Sequence, residues 1–417
     1  MAACGLDFGT SNTTLGVAAA GGRPCLMPLE NQATTLPSAV FFEFESATMA
    51  VGQAAIDAYV ADTEGRFMRA LKSVLGTALI DEETTLRGSR IGFRAVIARF
   101  LGAVKRRAET ASGVALDAVV HGRPVRFVDG DAAADARAER ILAEIARGIG
   151  FRHVAFQLEP IAAAFEYERQ IAREEIALVA DIGGGTSDFS VVRLGPDRRG
   201  RTERAADILG NEGVRIGGTD FDRELNLATI MPLLGYGSGM RRRGLAAPNL
   251  YFTDLATWSK INFLYGPKVM AEMRDVRRES AHPELIDRLI RVIEMRRGHT
   301  LAMAVEDAKV ALSEALRVAI PLDWIEPDLA AGVGRKLLET ATGTLTRRIG
   351  ERAKRCLAQA GLAAERIDAV FLTGGSTLLP HVRRGILHVV PAARIVEGDK
   401  FGAVGLGLTV DAMRRYG

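Results

Sequence analysis

The sequence is poor in cysteine, with Cys4, Cys25 and Cys356 scattered along 417 residues and no C-x-x-C spacing. That excludes a disulfide framework or a cysteine zinc site and fits a reducing compartment. No uninterrupted apolar run approaches ~20 residues, so no membrane-spanning helix is expected. The first strand-like run begins at Ala2-Ala3-Cys4, which leaves no room for a signal peptide and makes a cytoplasmic location the expectation. An excess of one charge is missing too: 54 basic residues face 51 acidic ones, for a net charge of +3. The charges are interleaved, so neither a nucleic-acid nor a membrane partner is expected. The local exception, Arg241-Arg242-Arg243 in a Gly-rich stretch, reads as an exposed loop. Lysine is scarce as well, eight among the 54 basic residues, and Lys72 is the only one before Lys105.

What is present is an ordinary globular balance, 48% hydrophobic and 25% charged. A chain of 417 residues exceeds what one core usually serves, so two lobes are expected. Two segments resemble each other. Ala2–Val17 reads AACGLDFGTSNTTLGV and Ala177–Val192 reads ALVADIGGGTSDFSVV, each an apolar strand ending in Asp, a Gly-containing turn with Thr, and a second strand. An internal repeat of this kind implies two related lobes. Helical periodicity predicts helices over Arg94–Thr110, Asp131–Gly148, Ile161–Glu168, Leu337–Leu357 and Leu379–Leu387, with helices dominating from Phe221 to Leu316. Short strands are expected at Ala39–Phe44, Ala50–Val51, Ala118–Val120, Val154–Leu158 and Ala369–Leu372. The alternation of strands and helices indicates an α/β fold with mainly covered sheets.

The chemistry concentrates in glycine turns. In the first hairpin, Gly9, Thr10, Ser11 and Asn12 offer backbone and hydroxyl donors that can converge on phosphate oxygens, with Asp7 at the strand end able to hold a magnesium ion through water. Alone, that D-x-G-T reads first as a plain hairpin turn. The second turn, Asp181-Ile182-Gly183-Gly184-Gly185-Thr186, sacrifices packing for three glycines, which suits either a tight bend or the close approach of a polyanion. Gly374-Gly375-Ser376-Thr377 lies at a strand–helix junction that can admit a phosphate or a flat ring, and Gly217-Gly218-Thr219-Asp220 adds a fourth candidate.

These four segments, in this order, resemble the actin-like ATPase superfamily, which includes actin, sugar kinases and DnaK-type heat-shock chaperones. The resemblance implies two lobes, each a mixed β-sheet flanked by helices on a duplicated ribonuclease-H-like core, with ATP or ADP and Mg²⁺ as cofactors. It places lobe I at 1–172, with a subdomain at about 39–117, and lobe II at 173–417, with a helical subdomain at about 223–340 and a C-terminal helix returning to lobe I. Gln157–Ala164 and Ala70–Gly76 are similar to the DnaK-type segments that carry a water-positioning Glu and a catalytic Lys, which implies those roles for Glu159 and Lys72. Lys72 has a second reading, a solvated surface lysine, which the scarcity of lysine counts against, and Asp181 has one as a turn cap. Thr186 would orient phosphate and nucleophile, and Asp7 and Asp181 would hold the metal's water shell.

Glu306–Ser313 resembles the family's adenosine-contacting helix, which implies that Glu306, Lys309 and Ser313 hold ribose and base and that the loop with Gly374, Gly375 and Ser376 contacts adenosine, with Gly217, Gly218 and Asp399 as further nucleotide-binding candidates. Val310 and Leu378 stand where most DnaK-type chaperones have arginines around the adenine, so weaker stacking is expected. The resemblance is closest to the YegD subgroup, in which the peptide-binding β-sandwich of DnaK-type chaperones is expected to be missing. The expected function is slow ATP hydrolysis that drives lobe closure in a chaperone-related protein with a client or co-chaperone as partner. A filament-forming actin-like protein and a small-molecule kinase are the alternatives.

Overall fold

The computed structural model describes residues 2–18, 22–61, 63–86, 89–128, 130–242, 244–396 and 402–417. Two compact units emerge. The first comprises Met1–Val214, Arg352–Gly375 and Leu387–Gly417, and the second Arg215–Glu351 and Ser376–Ile386.

The first unit holds two mixed sheets built on one plan. In one, the hairpin Ala3–Phe8 and Asn12–Ala18 is antiparallel, and Ala3–Phe8 also pairs in parallel with Ala118–Arg123, beyond which lies His153–Leu158. Pro24–Leu26 and Thr35–Pro37 both pair with the outer strand of the hairpin. In the other, Glu175–Ile182 and Ser187–Leu194 form the hairpin, Ala369–Thr373 is the parallel neighbour, and Ile208–Val214 and Arg394–Val396 form the edges. The repeat seen in the sequence thus extends to topology: each Asp-tipped strand is central, with a hairpin partner on one side and a parallel crossover strand on the other. The expected α/β architecture of mixed sheets flanked by helices is what the chain adopts.

The helices follow the apolar periodicity. Phe93–Ser112 buries Val96, Ile97, Phe100, Leu101 and Val104 and stops at Gly113, whose φ of 70° caps it in a left-handed turn. Ala132–Gly148 buries Ile141, Leu142 and Ile145, and Asp131 caps it by accepting from the Ala134 N–H. Both pack into one core with Leu6, Phe8, Leu15, Leu71 and Phe151. A second core joins Val120, Ile161, Phe165, Val179, Phe371 and Leu408. The last helix, Ala403–Tyr416, lies close on Ala3–Phe8 and on helix Glu159–Glu168. A side chain on Gly407 would overlap the Ala162 carbonyl, so the two helix backbones touch.

A feature absent from the periodicity is a buried ion cluster behind these sheets. Arg204, fully buried, donates to both oxygens of Glu168 at 3.0 and 2.8 Å and also pairs with Asp207. Arg198 reaches the same Asp207.

The second unit is mainly helical, with Gly218–Leu233, Asn249–Leu255, Pro267–Glu279, Pro283–Glu294 and Gly298–Ala311 and one small hairpin, Arg317–Pro321 with Ala330–Gly334. Phe221, Leu225, Phe252, Met273, Ile286, Leu289 and Leu301 are buried there. Arg241 and Arg242 are exposed, and Arg243 lies outside the described residues. Among the described residues no helix is long and apolar enough to cross a membrane.

Candidate functional site

The two Asp-tipped strands bring their turns together inside the first unit. A side chain on Gly184 would overlap Ser11 Oγ, so the two turns are in van der Waals contact. The first turn is propped from behind: Ser38 donates its backbone N–H to Ser11 O at 2.8 Å and its hydroxyl to Gly9 O at 2.7 Å, and Ser38 Oγ meets Thr13 Oγ1 at 2.9 Å. The second is closed by the Gly183 N–H on Thr186 O at 2.9 Å. Gly374, with φ of 79°, runs against Asp181, where a side chain would strike the Ile182 carbonyl and approach Asp181 Oδ1. Thus Asp7, Gly9, Thr10, Ser11, Asn12, Asp181, Gly183, Gly184, Gly185, Thr186, Gly374 and Gly375 all belong to the first unit.

Lys72 arrives from a different layer. It sits in a short 3-10 turn, Leu71–Val74, in which Leu71 is buried in the core while Lys72 leaves it. Its ammonium donates to Glu159 Oε1 at 2.6 Å, with 12% and 16% of the two side chains exposed. Glu159 is placed by strand His153–Leu158 and opens helix Glu159–Glu168, where Pro160 at an early position and an acidic first residue both favour the helix start. On its other flank lies Gly122, where a side chain would come within 3.3 Å of Glu159 Cγ.

The electrostatics are those of a carboxylate-rich cluster around the Lys72 ammonium. Burial, then the Glu159 charge, pushes the Asp7 carboxyl up to about 7, against the opposing pull of Lys72. Asp181 rises to about 6 for the same two reasons, eased by Lys72 and by a hydrogen bond from Thr373. Burial by itself would lower the Lys72 ammonium, but Glu159 and then Asp7 outweigh it, and it ends above its ordinary value.

One residue of this cluster escaped the reading of the sequence. Asp188 stands opposite Asp181 across the hairpin, accepts from Thr186 Oγ1 at 2.9 Å and shares the field of Asp181, Glu159 and Lys72. The signal was its position two residues past Thr186, on the return strand of the glycine turn.

Of the nucleotide candidates, Gly217, Gly218, Glu306, Lys309, Ser313 and Ser376 lie in the second unit. Lys309, buried near the end of helix Gly298–Ala311, donates to Asp222 at 2.9 Å and to the Gly218 carbonyl at 3.2 Å, which gathers Lys309, Gly218 and the adjoining Gly217 at the start of helix Gly218–Leu233. Glu306 stands one turn earlier on the helix of Lys309. Ser313 lies just past that helix and spends its hydroxyl on Val310 O at 2.6 Å, while Val310 is 57% exposed. Ser376 is buried in the short turn Gly375–Leu378. Asp399 lies outside the described residues.

Two duplicated mixed sheets, each ending in an Asp-tipped glycine hairpin, define an α/β fold of the actin-like ATPase class. The Hsp70 protein family model matches residues 3–230 and 288–412, and the chain belongs to that family. It is 26% identical over 392 residues to a protein named Chaperone protein DnaK from Elusimicrobium minutum (strain Pei191), an alignment covering 91% of this chain and 52% of that protein. The chain thus spans about half the length of the curated relative it matches.

Proposed function

We propose that the chain binds ATP with Mg²⁺ at the paired hairpins and hydrolyses it slowly, as a nucleotide-driven, chaperone-related switch. The observation that carries this reading is the gathering of four carboxylates, Asp7, Glu159, Asp181 and Asp188, around the ammonium of Lys72 near the two glycine turns. Such an excess of confined negative charge suits a divalent cation. Among the described residues no three potential ligands close on one point, so the donor set fits a hydrated ion rather than a caged one.

Asp7 and Asp181 would accept hydrogen bonds from water on the metal, which supplies charge neutralisation for the phosphates when bound. The N–H groups and hydroxyls of Gly9–Asn12 and Gly183–Thr186 would line the phosphate path, with Gly374 against Asp181 and Gly375 following it. Lys72 would neutralise charge on the transferred phosphoryl group, while Glu159 and Thr186 orient the attacking water. The assignment of Gly217, Gly218, Glu306, Lys309, Ser313, Ser376 and Asp399 to adenosine rests on the family resemblance, as does closure of lobe 1–172 on lobe 173–417. A client or co-chaperone is the proposed reader of that closure. The test is a thermal melt with Mg·ATP, Mg·ADP and neither. At ~100-fold excess over Kd the ligand should add about 2.7 kcal/mol of stability. A melt unmoved by nucleotide but raised by another metabolite would defeat this reading.

A further inference from the structure

His121 is fully buried at the end of strand Ala118–Arg123. Leu6, His121 and Phe156 form one row across three parallel strands, so all three point to the same face of the sheet, the face whose core also takes in Leu71. The ring packs on Phe156 with centroids 5.8 Å apart.

Its hydrogen bonding fixes its tautomer. Nδ1 lies 2.9 Å from the Gly122 carbonyl, which can only accept, so Nδ1 carries the hydrogen and Nε2 is a bare lone pair. That Nε2 is buried and has no hydrogen-bond partner among the described residues. Buried acceptors are seldom left unmatched, and this one can be met only by a donor. Among the described residues, the charge that acts on the ring is the ammonium of Lys72. Lys72 has three hydrogens, of which one goes to Glu159. Burial above all, and then Lys72, hold the imidazole down to about 4, so the ring is neutral at physiological pH and does not repel the ammonium.

We propose that His121 is a positioning residue for Lys72: its Nε2 is the neutral second acceptor to which the ammonium turns when Glu159 releases it. This rests on the reading of Lys72 and Glu159 as hydrolytic residues. A carboxylate oxygen that holds the lysine is not free to accept from the attacking water. A second acceptor lets Glu159 change partners while Lys72 stays aimed.

The primary test needs no nucleotide. In protein carrying ¹⁵N-labelled histidine, Glu159→Gln weakens the ion pair and should move the His121 Nε2 resonance in the direction of hydrogen-bond acceptance. The double variant Glu159→Gln/Lys72→Met should return it to the wild-type position. No movement in Glu159→Gln overturns the proposal, and so does a movement that persists without Lys72, because the donor is then water. With Mg·ATP, His121→Phe should slow single-turnover hydrolysis by roughly ten- to a hundredfold, leave Kd for ATP within about twofold, and be rescued by His121→Gln, which restores an acceptor. An unchanged rate in His121→Phe also overturns it. If the wild-type protein neither binds nor hydrolyses ATP, the functional reading fails instead, and the nucleotide-free resonances decide the role of His121 by themselves.

Discussion

The Lys72 ammonium and the Glu159 carboxylate meet at 2.6 Å across 87 positions of sequence, both largely withdrawn from water. The lysine's charge also acts on Asp7, Asp181 and Asp188, so among the described residues it serves four carboxylates at once.

Lys72→Ala should therefore abolish most hydrolysis while ATP still binds, because its charge matters most as the phosphoryl group transfers. The loss should be about 10²–10³-fold, as for other preorganised electrostatic groups. Single-turnover hydrolysis of bound ATP measures it, and a rate near wild type would make Lys72 a structural lysine.

Asp7 and Asp181 make the nucleotide-free fold sensitive to pH. Their carboxyls sit at about 7 and about 6, above the ordinary 3.8, so between roughly pH 4 and 7 the folded state holds more protons than the unfolded one. Stability then falls as pH rises through that window. Without ligand, Tm should drop between pH 5 and 7.5. Asp7→Asn should flatten part of that slope and raise stability at pH 8 by on the order of 1–3 kcal/mol, at the cost of the Mg²⁺ dependence of ATP binding. A Tm that climbs with pH would contradict the arrangement.

The contact of the two turns predicts a compensating pair. Gly184→Ala should destabilise the first unit because the new methyl overlaps Ser11 Oγ. Adding Ser11→Ala, which removes that oxygen, should recover most of the loss. Urea unfolding of the four proteins of this cycle gives the coupling, expected within the 0.5–3 kcal/mol range of contacting residues. Additive effects would mean that the turns do not touch. Gly374→Ala has no such remedy, since it meets backbone, and should cost about 1–3 kcal/mol.

Arg204→Met tests the ion cluster far from the hairpins. It leaves Glu168 and Asp207 buried without their shared cation and should cost about 3–5 kcal/mol, read as a shift of the urea midpoint. The increment by which Mg·ATP raises Tm should not change.

Much of this protein was legible without coordinates. Glycine turns need local backbone freedom, and helices need apolar residues at a 3.6-residue spacing. So the Asp7 and Asp181 hairpins and the helices Phe93–Ser112 and Ala132–Gly148 follow from neighbouring residues alone. The hairpin Arg317–Pro321 with Ala330–Gly334 carries strands of five residues with no clear alternation, and the small pair Glu83–Leu86 with Ser89–Gly92 is shorter still, so neither announced itself. Arg204 reads in the sequence like any surface arginine, and its burial depends on Glu168 and Asp207 being folded around it. Asp188 and His121 are ordinary polar residues until sheet register sets one opposite Asp181 and the other in a row with Leu6 and Phe156. Sequence determined what is local: turn chemistry, helix faces and the duplicated hairpin. Only the tertiary structure decided which charges share a buried volume, because Coulomb energy depends on distance and desolvation, and neither can be read from spacing along the chain.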